Sequence, residues 1–595
     1  MKSLVQFAAA ALLITLNANA APPEALTTHA ERTGFQETGR YEEVARLCAA
    51  FQKAYPKQVR SFEFGRTPEG RPMLALVVTR TGALTAASAK KRKLPVLLVQ
   101  GGIHAGEIDG KDAGFLVLRK MLESTAADNP LTRQVVLFVP VFNVDGHERF
   151  RAWNRMNQRG PREMGWRTTA QNYNLNRDYM KADAPEMQAL LRLMNEWDPL
   201  ATMDLHVTDG AKFQPHVSVQ VEPLYAGDEE LKKIGRTWGD GTRADLRARG
   251  WLPLHFYPSF VVEDDPKSGF EYGVPPPRFS TTYSLLRNRF AMLVETHSWK
   301  DYATRVQTTH DTIVSVMARM ATHGSEWLQE AHEADARAMQ IGGETFPLTY
   351  KATDEAQTIE FPGYRYERTM SDVSGALMTR YDEAKPEVWH LPLRDHVEPE
   401  LSVTAPIGGY LVPVAYAPLV GEKLRQHGVF FSVLKAPLAG AERETFRATK
   451  VTFADKSFEN HQTLTLEGDW GAERRDLPAG ALFVPIAQAK SRLVVALLEP
   501  RAPDSLAAWG EFNGSFEQKE FMESYVAEDV AREQMSAEPA VAAEFQKRVA
   551  DDHDFAKDAS ARLQFFARRH SSWDERLNLY PVFRSATIPA ELRPQ

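Results

Sequence analysis

Four short apolar runs, at residues 94–100, 134–142, 201–206 and 290–296, constrain this chain most. Apolar stretches of that length, without polar alternation, suit strands covered on both faces. Helical spacing separates them. In the clearest case Met187, Leu190, Leu191, Met194 and Trp197 trace one stripe, as a helix packed on a sheet requires. Asp183 and Glu186, with Pro185 in the first turn, read as a capping box for that helix. The alternation predicts an α/β fold, a mostly parallel or mixed sheet with helices on both faces. A further helical pattern runs from about Tyr302 to Met339. Residues 252–284, rich in Pro, Gly and aromatics, interrupt the rhythm as a long ordered loop or lid, a kind of segment that is often functional.

After Gly342 the pattern changes to short apolar segments between Gly, Pro and Asp, such as 409–415, 429–434 and 481–484. These predict a separate β-rich domain. From about Phe516 the chain is charged and helix-prone. The expected organisation is a leader at 1–20, a catalytic domain at 21–340, a β-rich accessory domain at 341–515 and a helical segment at 516–595. A chain of 595 residues is too long for one core, which agrees with such a division.

Lys2, the apolar run 7–16 and the small residues ending at Ala20 form a secretory-type leader, with a mature start near Ala21. The expected location is periplasmic or secreted, with no membrane anchor once the leader is removed. A net charge of -7 gives none of the concentrated basic surface of a nucleic-acid binder. Cys48 is the only cysteine, so no intrachain disulfide can form. It falls within a helical pattern at 41–51 and reads as a buried core thiol.

The chemistry lies where the apolar runs end. The first leads into Gly101-Gly102-Ile103-His104-Ala105-Gly106-Glu107. The glycines allow a sharp turn, and His104 and Glu107 could then bind one Zn²⁺. Alone, His-x-x-Glu is a weak pattern, and a plain polar loop would read the same way. The third run ends in Asp204-Leu205-His206, which offers a third ligand and, in Asp204, a carboxylate that could orient it or simply face water. The fourth ends in Glu295-Thr296-His297. A carboxylate closing an apolar strand is costly unless it is paired or functional, so Glu295 is the candidate general base for activating water. His297 is a spare ligand candidate with a structural role as the stronger reading. Asn176 and Arg177 could hold a substrate carboxylate, since a guanidinium fork binds it through two bonds. The arginines of 149–167 offer an oxyanion partner.

The order His104-x-x-Glu107, Asn176-Arg177, His206, Glu295 resembles that of the zinc metallocarboxypeptidases of the carboxypeptidase A type. The segments 64–72 and Asn143-Val144-Asp145-Gly146, with Val where the family has Pro, add to the likeness, which covers about residues 30–330. The resemblance implies one zinc per chain on His104, Glu107 and His206, with Glu295 as base and proton shuttle. It implies that Asn176 and Arg177 hold the terminal carboxylate of a peptide substrate. Counting back from Asn176 gives Arg159 as the carbonyl-polarising arginine, with Arg155 as rival. Tyr272 and Tyr283 both qualify as the tyrosine that covers the substrate. Asp178 departs from the Asn of many digestive members, and the C-terminal half has no counterpart in the simple enzymes.

The leading expectation is therefore zinc-dependent release of C-terminal residues from peptides. A zinc deacylase of N-acyl amino acids is the alternative, and a catalytically silent binding protein on the same fold is a second.

Overall fold

The computed structural model describes residues 24–592, so the leader at 1–20 and the mature start near Ala21 lie outside the described residues. Helix α1 (Tyr41–Ala54) buries Val44, Leu47, Cys48 and Phe51 on one face. Strands β1 (Val59–Arg66) and β2 (Pro72–Val78) follow, then β3 (Val96–Gly101), α2 (Asp109–Glu123) and β4 (Val135–Val139). The chain continues through α3 (Pro185–Trp197), β5 (Ala201–Thr208), β6 (Val217–Glu222), α4 (Glu229–Ala248) and β7 (Pro253–Leu254). Then come β8 (Phe270–Glu271), α5 (Ser280–Leu285), β9 (Phe290–His297) and the long α6 (Tyr302–Ala338). All four apolar runs of the sequence are strands.

Seven of these strands, with β7 at one edge, form an eight-stranded sheet in the order β1-β2-β4-β3-β5-β9-β6-β7. The central strands β4, β3, β5 and β9 are mutually parallel, while β1, β2 and β6 join antiparallel. Every residue of β3, β4 and β5 is buried, as expected of strands covered on both faces. The carboxyl ends of β3, β5 and β9 lie side by side. Gly101 pairs with Leu205, and His206 pairs with Glu295. Open α/β sheets place their sites at this edge.

The expected capping box does not form. Ala184 is the N-cap of α3 and gives no side-chain cap bond. Cations compete successfully for the Asp183 carboxylate: Lys423 at 2.9 Å and His461 at 2.6 Å from the C-terminal half, and the neighbouring Lys181 at 3.1 Å. Glu186 is buried, and neither of its oxygens has a hydrogen-bond partner.

The remainder is β-rich, with a helical C-terminal part. Strands β10 (Thr345–Ala352) and β13 (Val397–Thr404) pair with each other, and β11 (Gln357–Met370) and β12 (Leu377–Arg394) form a long hairpin. Leu393 of β12 pairs in parallel with Phe270, which joins the hairpin to the 252–284 segment. A six-stranded sheet combines β14 (Gly409–Val412), β15 (Ser432–Val433), β16 (Leu438–Phe453), β17 (Leu464–Leu477), β18 (Leu482–Pro485) and β19 (Phe583–Ser585). The tail beyond 516 is thus not wholly helical: after helices at Ser524–Ala537, Pro539–Asp551 and Ala559–Ala567 it returns a strand to this sheet. Among the described residues no helix is long and apolar enough to cross a membrane.

Two buried acids make a test of the packing. Burial pushes Glu222 up to about 8 from an ordinary 4.5, and one of its oxygens lacks a partner. Burial likewise pushes Glu186 up to about 7. Such groups keep their protons in the folded state after the unfolded chain has lost them, so stability must fall as pH rises from about 4.5 towards 8. Glu222→Gln should flatten that fall by on the order of a few kcal/mol. Denaturant midpoints measured between pH 5 and 8 check this, and parallel curves for variant and parent would refute it.

Candidate metal centre and active site

The loop after β3 is shaped by glycine. Gly102 has φ +64, and a Cβ on Gly106 would lie 2.8 Å from the Gly165 carbonyl oxygen, so neither position accepts a larger residue without strain. The loop is anchored from below. Asp109 accepts from Thr296 Oγ1 at 2.8 Å and from Arg305 Nε at 3.0 Å, which ties the start of α2 to β9 and α6.

His104 and Glu107 on this loop meet His206 from β5. His104 Nδ1 lies 3.0 Å from Glu107 Oε1, and His206 Nδ1 lies 3.0 Å from Glu107 Oε2. One ligand-type atom from each residue falls within 4.8 Å of the others, and all three residues are buried. Among the described residues no other group of three such side chains converges in this way. The outward ring nitrogens each face a side-chain oxygen. His104 Nε2 is 3.1 Å from Asn174 Oδ1. Asp204 Oδ2 is 3.1 Å from His206 Nε2, although off the line that a good N–H···O bond takes. Partners of this kind fix ring orientation and tautomer in metal sites.

The electrostatics follow from burial and charge. Burial lowers His104 to about 4, leaving the imidazole neutral at pH 7 as a ligand must be. Burial alone would raise Glu107, but Arg155 and the two histidines overcome it and hold the carboxylate well below its usual range. For His206 burial is overcome in the other direction, chiefly by Asp204. Glu295, level with His206 across the β5–β9 ladder, is pushed up to about 8 by burial against the opposing pull of His206. Its Oε2 has no hydrogen-bond partner.

Arg155, rather than Arg159, stands at the cluster. It is buried, donates from Nη1 to Glu107 Oε1, and reaches the Val207 carbonyl at 3.0 Å and Asp209 at 2.9 Å through Nη2. Arg159 points away. It pairs with Glu383 of β12 at 2.5 Å and lies over the Trp299 ring at 5.5 Å. Counting back along the chain misplaces it because residues 149–167 fold as irregular turns, where linear spacing does not set direction.

Neither expected tyrosine reaches the cluster. Tyr272 is buried in an aromatic group, 5.1 Å from Tyr225 between ring centroids. Tyr283 is fully buried on α5, with its hydroxyl 2.9 Å from His427 Nδ1. Both rings serve packing. A tyrosine that sequence reasoning passed over, Tyr257, is exposed and lies near enough to the cluster to feel its charges. Its pKa is raised first by desolvation of its hydroxyl and then by the nearby charges of Glu295, Glu107 and Asp209. Its place within 252–284 was the one available signal, and nothing in the local pattern set it above its neighbours.

His297 stacks on Phe213 at 4.0 Å between centroids and stands apart from the ligand group. Asn176 is buried. Arg177 lies 4.5 Å over the Phe279 ring and donates to the Asn176 carbonyl at 2.7 Å. Burial and the neighbouring Arg167 and Arg278 lower its pKa. It forms no ion pair with any carboxylate among the described residues.

Residues 44–250 match the model of the zinc carboxypeptidase family, Peptidase M14. The chain carries a zinc carboxypeptidase domain. The carboxypeptidase family is one of zinc-dependent peptide hydrolases, and the matched span holds His104, Glu107 and His206, while Glu295 lies beyond it. No curated protein matches the chain. Solved structures similar to it include a metallo-carboxypeptidase from Burkholderia cenocepacia, 17% identical over 47% of this chain and 69% of that one, TM-score 0.35. A metallo-carboxypeptidase from Pseudomonas aeruginosa is 18% identical over 48% and 69%, TM-score 0.36. Carboxypeptidase A from Helicoverpa armigera is 16% identical over 51% and 75%, TM-score 0.35.

Proposed function

We propose that the carboxypeptidase domain binds one zinc ion on His104, Glu107 and His206 and releases C-terminal residues from peptides. The observation that carries the reading is the convergence of these three ligand-type atoms beside Glu295 at the carboxyl edge of the sheet. Two imidazoles and a carboxylate suit zinc, and three protein ligands leave a position open, as a catalytic site needs. Bonds of about 2.0–2.2 Å to one ion place neighbouring donors roughly 3.0–3.5 Å apart; each histidine lies 3.0 Å from an oxygen of Glu107, His104 from Oε1 and His206 from Oε2, and one ligand-type atom from each of the three residues falls within 4.8 Å of the others. What zinc supplies when bound is Lewis acidity, which polarises a carbonyl and eases loss of a proton from water.

The chain's own groups then divide the work. Glu295 takes the proton from water at its unpartnered oxygen and returns it to the leaving amine. Arg155, held by Glu107 and Asp209, presents its guanidinium to the charge that develops on the scissile carbonyl oxygen. Arg177, which makes no ion pair among the described residues and is set beside Arg167 and Arg278, receives the substrate's terminal carboxylate, with Asn176 beside it.

The test is digestion of a mixed peptide library by the purified protein, read by mass, with and without a zinc chelator, with N-acyl amino acids as a parallel substrate set. Chelator-sensitive loss of single C-terminal residues is expected. Turnover of N-acyl amino acids with intact peptides would transfer the reading to a deacylase. Bound zinc with neither substrate consumed would leave a binding protein.

Because Glu295 is pushed up by burial, activity should rise with pH along an acid limb above the ordinary carboxylate range. A bound cation lowers where that limb falls, so its position in the holoenzyme lies below 8. A kcat profile flat down to about pH 4, the ordinary carboxylate range, would remove Glu295 from the role.

A further inference from the structure

The C-terminal half reaches the segment that carries Asn174, Asn176 and Arg177. Residues 458–461 form a two-residue hairpin turn in which Phe458 and His461 exchange backbone bonds of 2.9 and 3.0 Å. The two residues at its tip, Glu459 and Asn460, have φ +48 and +69. A tight two-residue hairpin requires left-handed backbone at both tip positions; Asn460 adopts it readily, Glu459 less so.

The turn is docked on three sides. His461 pairs with Asp183 at 2.6 Å. Phe458 stacks on Trp509 at 5.9 Å and lies 5.7 Å from the Arg278 guanidinium, which Asp504 holds at 3.0 Å. At the tip, Glu459 Oε2 accepts the Asn174 backbone N–H at 3.2 Å. Lys423, also from the C-terminal half, adds a bond to Asp183 at 2.9 Å.

What Glu459 holds is more consequential than one amide. Asn174 Oδ1 meets His104 Nε2 at 3.1 Å and accepts the Asn176 backbone N–H at 3.1 Å. The next residue is Arg177, whose guanidinium feels the Glu459 charge. One carboxylate from residue 459 therefore bears on the outer face of a ligand-type histidine and on the base of the Asn176-Arg177 pair.

We propose that the 458–461 turn of the C-terminal half is part of the peptidase site, with Glu459 the residue that positions Asn174 and, through it, His104 and Arg177. The inference rests on the reading of the site given above. It assigns the accessory half a role in substrate capture, and it makes Glu459 a positioning residue that need not touch substrate.

The experiment uses the full-length protein with Glu459→Gly and Glu459→Gln. Glycine removes the carboxylate and accepts φ +48 without strain, so the thermal midpoint should not fall. Two readouts are taken: KM and kcat for an N-benzoyl dipeptide with a free C-terminus, and affinity for zinc alone by chelator competition. Glu459→Gly should raise KM about tenfold, the value of one hydrogen bond to a charged group, with kcat little changed, and should weaken zinc binding. Glu459→Gln keeps an oxygen acceptor and should restore both. Wild-type KM and zinc affinity in Glu459→Gly would overturn the proposal, as would a glutamine variant that rescues neither. If the parent protein cleaves no dipeptide, the proposed function fails on that result, and the zinc readout still decides whether Glu459 positions the site.

Discussion

Glu295→Gln should lower kcat by about 10²–10⁴-fold, the contribution of a positioned general base, with zinc content unchanged. The effect follows from the β5–β9 ladder. Glu295 is directly opposite His206, so their side chains leave the sheet on the same face and at the same edge. Glu295 is buried, one oxygen has no partner, and burial raises its pKa. A carboxylate kept in such a place without a structural bond carries a desolvation cost that packing does not explain. Glutamine preserves shape and removes both charge and proton affinity. The fold should tolerate it, because a neutral amide is easier to bury than an anion. Metal binding should persist, because the three ligand-type residues are untouched. A variant with parental kcat would show that another group accepts the proton, and one that lost its zinc would show that Glu295 acts on the metal instead.

Much of the fold was legible in the chain because short, unbroken apolar runs have few solutions: all four became strands, and the residues closing three of them meet at one edge of the sheet. The sequence does not contain the pairing of β5 with β9, which sets His206 against Glu295. Capping at Asp183 failed for a related reason, since Lys423 and His461 lie more than two hundred residues away and compete for the same carboxylate. Tyr272 and Tyr283 looked functional by position in a loop. Tyrosine also serves cores when its hydroxyl finds a partner, as Tyr283 does in His427. The least legible contact is Glu459 with Asn174, 285 positions apart. No local pattern in either segment points to the other.

The two arginines offer a sharp comparison. Arg155→Lys should lower kcat by about 10²-fold, near the cost of one lost oxyanion donor, whereas Arg159→Lys should leave kcat within a few-fold. The difference lies in what each guanidinium is attached to. Arg155 spans Glu107, the Val207 carbonyl and Asp209, so its plane is fixed beside the ligand cluster. A lysine ammonium keeps the charge but cannot occupy those positions together, since it is a single point on a flexible stem. Retaining the charge matters to the test. Removing it entirely would strip Glu107 of its main cation, and breaking a buried pair costs about 3–5 kcal/mol, enough to confuse catalysis with unfolding. Arg159 has nearly half its side chain in solvent and is bound to Glu383, an exposed arrangement worth little. Steady-state kinetics with zinc content and thermal midpoint measured on the same samples separate the cases. Loss of kcat in the Arg159 variant with none in the Arg155 variant would reverse the assignment and imply that Glu383 releases Arg159 towards the substrate.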